Sequence, residues 1–136
     1  MSAHHLLLIE DDAAEGHLAV RSLKKISADI QVTHLSNGIE FLDYVSDDTN
    51  HPVDLALMDL HMPGMGGLEF MQKLRSQGTR LRFPVVVFSS SENPEEVRQA
   101  YELGVSAFVT KPVDTVRYRQ SLRNIVAFWL RTNRLV

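Results

Sequence analysis

The chain of 136 residues predicts an α/β fold, a doubly wound parallel sheet of five strands with five helices. Three observations carry this. Short apolar, often β-branched runs alternate with stretches of helical periodicity along the whole chain. The helical stretches open on capping residues, and two close on glycine. No linker, repeat or low-complexity segment interrupts the alternation. Parallel neighbours need crossovers, and these are right-handed, so helices are expected on both faces.

Leu6–Ile9 reads as strand one. Asp12-x-x-Glu15 fits a capping box for helix one, with Leu18, Leu23 and Ile26 behind it. Ile30–Leu35 is strand two. Asn37-x-x-Glu40 opens helix two, which carries Ile39, Leu42 and Val45 on one face, and a polar loop follows over Asp47–Pro52. Val53–Met58 is strand three. It is nearly uncharged, as a strand buried on both faces should be, and it ends in Asp59. Pro63, Gly64, Gly66 and Gly67 force a loop. Helix three covers Gly67–Arg75 and closes at Gly78. Pro84–Ser89 is strand four, the most β-branched run. Helix four has Asn93 as cap, Pro94 at its first position, Glu96 to complete a capping box and Gly104 as stop. Ala107–Thr110 is strand five, followed by Lys111-Pro112. The last helix starts near Asp114 and runs to about Thr132.

Composition bounds the function. Hydrophobic residues make up 44% and charged residues 23%, ordinary for a domain with a real core. Cysteine is absent, which excludes disulfides, thiolate catalysis and cysteine-bound metal, and which suits a reducing, cytoplasmic setting. Apolar runs are far too short to span a bilayer. The start Met1-Ser-Ala-His-His lacks the basic region and cleavage site of a signal peptide. The net charge of −3 hides a split. Residues 1–114 carry −8, whereas residues 115–136 hold Arg117, Arg119, Arg123, Arg131 and Arg134 with no acid. Such a split fits an acidic partner or contact between copies, or else a solvated helix face with cations near its C-terminus.

By analogy with flavodoxin-like folds of this size, the strand order is 2-1-3-4-5, and ligands bind at the carboxyl ends of the strands. In that order strands one, three, four and five are adjacent. Their ends bring together Glu10-Asp11-Asp12, Asp59, Ser89-Ser90-Ser91 and Thr110-Lys111. Alone, Asp59 reads more readily as a turn or cap aspartate. Clustered carboxylates repel, so they take up protons or bind a cation. Hard oxygen ligands favour Mg²⁺, with Mn²⁺ as the alternative. A carboxylate nucleophile at Asp59, a divalent metal, the Lys111 cation and the Ser89 hydroxyl are what phosphoryl transfer needs.

With these residues in place, the chain resembles the receiver domain of two-component response regulators along essentially its whole length. The matching pieces are Leu6-Leu-Leu-Ile-Glu-Asp-Asp12, Asp54-Leu-Ala-Leu-Met-Asp-Leu-His-Met-Pro-Gly64, Pro84-Val-Val-Val-Phe-Ser89 and Ala107-Phe-Val-Thr-Lys-Pro112. The resemblance implies that Asp59 accepts a phosphoryl group from a phosphohistidine on a sensor histidine kinase. It implies that Asp11 and Asp59 bind Mg²⁺ directly, that Glu10 acts through water, and that the backbone carbonyl of His61 completes the set. Asp12 is then left as the helix cap. Ser89 matches the switch hydroxyl, Lys111 the phosphate-contacting lysine, and Phe108 the switch aromatic. The Lys111-Pro112 bond is expected to be cis. His61 and Ser91 match positions that modulate phosphoryl lifetime in the family. Gly66 stands where an aspartate or asparagine is frequent, which should loosen the loop after Asp59.

The expected device is a two-state switch. Phosphorylation adds about −1.5 to −2 charges at Asp59, and the face of helix four, strand five and helix five repacks. The receiver pattern ends near residue 126, so output is expected through protein contact or phosphorelay from a single domain spanning 1–136, its tail beginning at about 127. In the last helix Tyr118, Leu122, Ile125 and Trp129 form a core stripe flanked by Val126, Leu130 and Phe128. That width suits a homodimer through the helix-five side, with Arg117, Arg119 and Arg123 facing Glu95, Glu96 and Glu102 of a partner, or else a tail folded back on its own domain. Ala127-Phe-Trp-Leu-Arg131 also looks like the stand-alone receivers that partner phytochrome kinases. A haloacid-dehalogenase-type hydrolase is the alternative, but it needs an acid two residues after the nucleophile, where His61 stands. A nucleotide enzyme needs a glycine-rich loop after strand one, which Glu10-Asp-Asp-Ala-Ala-Glu15 opposes. Five arginines without a helix-turn-helix give only nonspecific attraction to DNA.

Overall fold

The computed structural model describes residues 4–132. Its elements are β1 His4–Ile9, α1 Ala13–Ile26, β2 Ile30–Leu35, α2 Gly38–Val45, β3 Leu55–Met58, α3 Gly67–Gln77, β4 Val85–Ser89, α4 Pro94–Glu102, β5 Ala107–Thr110 and α5 Thr115–Val126, followed by a π-helical segment Ala127–Thr132. All strand pairs are parallel, and the order is β2-β1-β3-β4-β5. The flavodoxin-like expectation therefore holds.

Side chains alternate along each strand and feed two apolar layers. Leu7, Ile9, Met58 and Val87 point to the side where Phe41 of α2, Phe70 and Leu74 of α3 and Ala100 of α4 pack. Leu6, Leu8, Leu57 and Val86 face Leu23 of α1 and Tyr118, Leu122 and Ile125 of α5. Central strands β1, β3 and β4 are buried almost throughout, while edge strands β2 and β5 are only partly so.

Element boundaries moved where a side chain took over a backbone role. β1 starts two residues early because His4 and His5 pair with Ile30 and Gln31. The His5 ring is held between the Pro52 carbonyl at 3.1 Å and the Thr33 hydroxyl at 2.8 Å. β3 starts at Leu55 rather than Val53, since the Asp54 carboxylate accepts the His5 N–H at 2.8 Å. β4 starts after Pro84, which has no N–H to give the ladder. α3 runs on to Gln77, and Gly78 ends it in the left-handed region at φ 68.

The caps are half as expected. Asp12, Asn37, Asn93 and Asp114 each accept a first-turn N–H. The reciprocal arms differ. Glu40 reaches the N–H of Ser36 rather than Asn37. Glu15 and Glu96 do not return to their caps at all, so the boxes expected for α1 and α4 are corrected; both acids are spent on the site described below.

Past Val126 the chain turns more widely. Trp129 and Leu130 pack against the α1/α5 layer, and Phe128 stays half exposed against the edge of the Trp129 ring. The expectation for Arg134 lies outside the described residues.

Gly66 corrects another expectation. A Cβ there would lie 2.6 Å from the Leu60 carbonyl, and the adjacent Gly67 N–H donates to that same oxygen at 2.9 Å. The glycine lets α3 press onto the backbone just after Asp59, so the loop is tight rather than loosened. Gly66→Ala is expected to cost about 1–3 kcal/mol, because the atom it meets is backbone and cannot swing aside. Urea unfolding measures this, and a neutral result would contradict the close approach.

Candidate functional site

Parallel registry builds the site. Ile9 lies opposite Met58, so the residues that follow, Glu10 and Asp59, leave the sheet side by side. The Asp59 N–H donates to the Ile9 carbonyl at 3.0 Å. Ser89 lies opposite Thr110, and the Lys111 N–H donates to the Ser89 carbonyl at 2.8 Å. Each strand stops where its ladder bonds run out, which leaves polar side chains at a shared rim.

Lys111 is the centre of this rim. Its Nζ donates to Glu10 Oε1 at 2.7 Å and to Asp59 Oδ2 at 3.0 Å, and it pairs with Glu15 Oε2. The lysine side chain is only 9% exposed and that of Asp59 13%. Burial works against the ammonium charge. The bonds to Glu10 and Glu15 and the charges of Asp59 and Glu10 outweigh it and hold the lysine well above its usual range. The other oxygen of Asp59, Oδ1, accepts the N–H of Leu60 at 2.7 Å and that of His61 at 3.4 Å.

Glu10, Asp11 and Asp59 each offer a carboxylate oxygen, and these oxygens lie within 4.8 Å of one another. Burial first, then the bond to Glu15, pushes Glu10 up to about 7 despite Lys111. Asp11 is also raised, by desolvation and by the charges of Glu10 and Asp59. Three hard oxygen donors, crowded and reluctant to ionise together, are the donor set of a divalent cation, so the residues fit one.

A carboxyl whose folded pKa stands above its unfolded value favours the fold while protonated and loses that advantage on ionising. The metal-free protein should therefore lose stability relative to Glu10→Gln as pH rises from about 4.5 to about 7. Thermal melts across that window check it; parallel curves for the two proteins would contradict it.

The remaining expected residues fall as follows. Ser89 is fully buried, and its hydroxyl accepts the Ser91 N–H at 3.3 Å. Phe108 packs partly buried against the α2/α3/α4 layer. The His61 ring turns away from Asp59, and its Nε2 lies 3.1 Å from Glu96 Oε1. Asp12 is a cap, and its N–H donates to Glu10 Oε2 at 3.1 Å. Lys111-Pro112 is trans, since no described peptide bond is cis. Trans is the preferred isomer for any such bond, and the lysine reaches all three acids with it.

Four further residues take part at the site. Glu15 reaches Lys111. Glu96 takes both His61 and the Ser91 hydroxyl, tying the loop after β3 to the loop after β4. Tyr101 on α4 accepts the Phe108 N–H at 3.0 Å through its hydroxyl, so a phenol does act at β5, from the neighbouring helix. His34 completes the frame, with Nε2 2.7 Å from the Glu10 carbonyl. Glu15 was visible only as a capping pattern, Glu96 as a cap residue and as an acid facing a partner's arginines, and nothing local marked Tyr101.

A family model described as the response regulator receiver domain matches residues 6–123. The response regulator Rcp1 of Synechocystis is 31% identical over 131 residues, which span 93% of this chain and 89% of Rcp1. The crystal structure of the phosphorylated cyanobacterial phytochrome response regulator RcpA matches with a TM-score of 0.90 at 29% identity, covering 98% of this chain and 99% of that one. The Mn(2+)-bound form of Rcp1 matches with a TM-score of 0.87 at 28% identity over the same shares.

Proposed function

The chain belongs to the response regulator receiver family, and from that premise we propose that Asp59 is the residue phosphorylated by a sensor histidine kinase. The observation that carries this is the Lys111 ammonium, 3.0 Å from Asp59 Oδ2 beside the acidic trio. An oxygen of Asp59 attacks the phosphorus of a phosphohistidine. The O–P bond forms as the N–P bond breaks, and the imidazole leaves. Lys111 offsets charge on the transferring oxygens, while the Leu60 and His61 N–H groups hold the other Asp59 oxygen in line. Glu10, Asp11, Asp59 and the His61 carbonyl would hold Mg²⁺, or Mn²⁺, which supplies further positive charge there. That the similar Rcp1 structure is a Mn(2+)-bound form supports a divalent ion for this chain as well.

The Ser89 hydroxyl then turns to the new oxygens, Phe108 repacks, and the α4–β5–α5 face changes. α4 is suited to moving, since Ala100 is its only buried residue and its other ties are polar. A cleft of about 280 Å³ beside the site, with Leu18, Pro112 and the fully exposed Val113 at its lip, leaves room for a phosphodonor to approach. The role is that of a phosphoacceptor rather than a turnover enzyme. His61 stands where a hydrolase would keep its acid, and its ring is engaged by Glu96.

Likeness to Rcp1 and RcpA supports a phytochrome as the kinase. A homodimer through the α5 side is supported by Val116, 72% exposed, and Phe128, 48% exposed. Trp129 and Leu130 are already folded back on the domain. Glu95 and Glu102 already pair with Arg98, so that contact rests on apolar surface more than on ion pairs. Sedimentation showing only monomer, phosphorylated or not, would remove it. No described helix is long and apolar enough to cross a membrane. We place the protein in the cytoplasm as one receiver unit without specific nucleic-acid binding. Phosphotransfer profiling against the histidine kinases of the source organism tests the whole reading: rapid labelling by one kinase is expected, and labelling by none overturns it.

A further inference from the structure

We propose that Glu15 is a positioning residue that holds Lys111 in the resting site and competes with the phosphoryl group for it. This rests on the receiver reading of Asp59.

An ammonium has three N–H donors and no more. Here Nζ faces three carboxylates, Glu10 and Asp59 through hydrogen bonds and Glu15 as an ion pair. Its donors are thus committed; phosphorylation of Asp59 frees the one that met its carboxylate, while Glu10 and Glu15 go on competing with the phosphoryl oxygens for the ammonium. The three are not equivalent. Asp59 is the residue that carries the phosphoryl group. Glu10 belongs to the carboxylate trio that fits a cation. Glu15 sits outside that trio, on the first turn of α1, so it is the acid free to give way.

Release has a cost. Glu15 Oε2 is buried, and the Lys111 ammonium against it is the charge that compensates it. When the lysine turns to phosphate, this oxygen is orphaned unless the side chain swings outward, and a buried unpaired acceptor opposes the phosphorylated state. The side chain is 30% exposed, so such a swing has somewhere to go. Glu15 thereby sets a threshold for the switch and links it to α1, a helix outside the α4–β5–α5 face.

Glu15→Gln tests this. The amide is isosteric, and the Glu15 backbone N–H that caps α1 through Asp12 at 3.0 Å does not depend on the side chain. With Mg²⁺ present, beryllofluoride should bind Glu15→Gln about tenfold more tightly than the wild type, as for the loss of one charged competitor. Affinity for Mg²⁺ alone should stay nearly unchanged. A contact competitor differs from a general reduction in negative field, which salt screens. The gain should therefore persist at high salt. Glu15→Asp, whose carboxylate is drawn back from Nζ, should show a smaller gain in the same direction, and it serves if the glutamine variant folds poorly. Equal or weaker beryllofluoride binding in both variants, a gain lost at high salt, or a matching rise in Mg²⁺ affinity overturns the proposal. If the wild type itself binds no beryllofluoride and is not labelled by any kinase, the receiver reading of Asp59 fails and takes this proposal with it.

Discussion

Asp59→Asn is expected to reduce phosphoryl labelling by the partner kinase to background, while circular dichroism should stay that of the wild type. In the proposed transfer the carboxylate oxygen would be the nucleophile, and an amide has no comparable lone pair to offer phosphorus. No other described acid has the same setting. Glu10 is bonded to Lys111 and to the Asp12 N–H, so its oxygens are spent. Asp11 is raised above the usual carboxylate range and makes no contact with the lysine. The fold survives because Lys111 keeps Glu10 and Glu15 as partners. Labelling that persists in Asp59→Asn would move the acceptor elsewhere and unseat the central assignment.

Phe70→Ala is expected to remove much of the molecule's stability margin, about 3–5 kcal/mol, against a total stability of about 5–15 kcal/mol for a domain of this kind. Phe70 is fully buried on α3, and its ring stacks on Phe41 of α2 with centroids 4.0 Å apart and planes 8° from parallel. Truncation leaves a cavity lined by a second ring and by strand side chains that belong to a rigid sheet, so the site cannot collapse to fill it. The lever on function is short. α3 begins at Gly67, whose N–H bonds the Leu60 carbonyl beside Asp59, so a loosened α3 also loosens the acceptor loop. Equilibrium urea unfolding measures the loss. A change below about 2 kcal/mol would show that α2 and α3 pack less tightly than the ring geometry says.

Much of the site was legible because strand ends are local signals. Each strand gives way at its end to a polar or charged residue: Glu10 after Ile9, Asp59 after Met58, Ser90 after Ser89 and Lys111 after Thr110. Glu10, Asp59 and Lys111 could therefore be placed on one rim from the order of the strands. The Asn93-Pro94 start of α4 was equally local, since a cap acts within one turn. Side-chain destinations were not local. Asp12-x-x-Glu15 and Asn93-x-x-Glu96 have the spacing of capping boxes, yet both glutamates left their own helices. Tyr101 gave no sign that it would take the Phe108 N–H, because that bond needs α4 laid across β5.

Element order, helix starts, the alternation that feeds two core layers and the set of charged residues at the strand ends are all written along the chain. These follow from periodicity and from chemistry within a few residues. Which charge meets which was settled by folding. Glu15 chose Lys111 over its own helix cap because the fold sets a cation from β5 beside α1 in a buried rim, where an ion pair outweighs a solvent-exposed backbone hydrogen bond. Glu96 chose His61 and Ser91 because two loops, each following a different strand, converge at the start of α4. Such choices depend on groups that are distant in sequence and close only after folding.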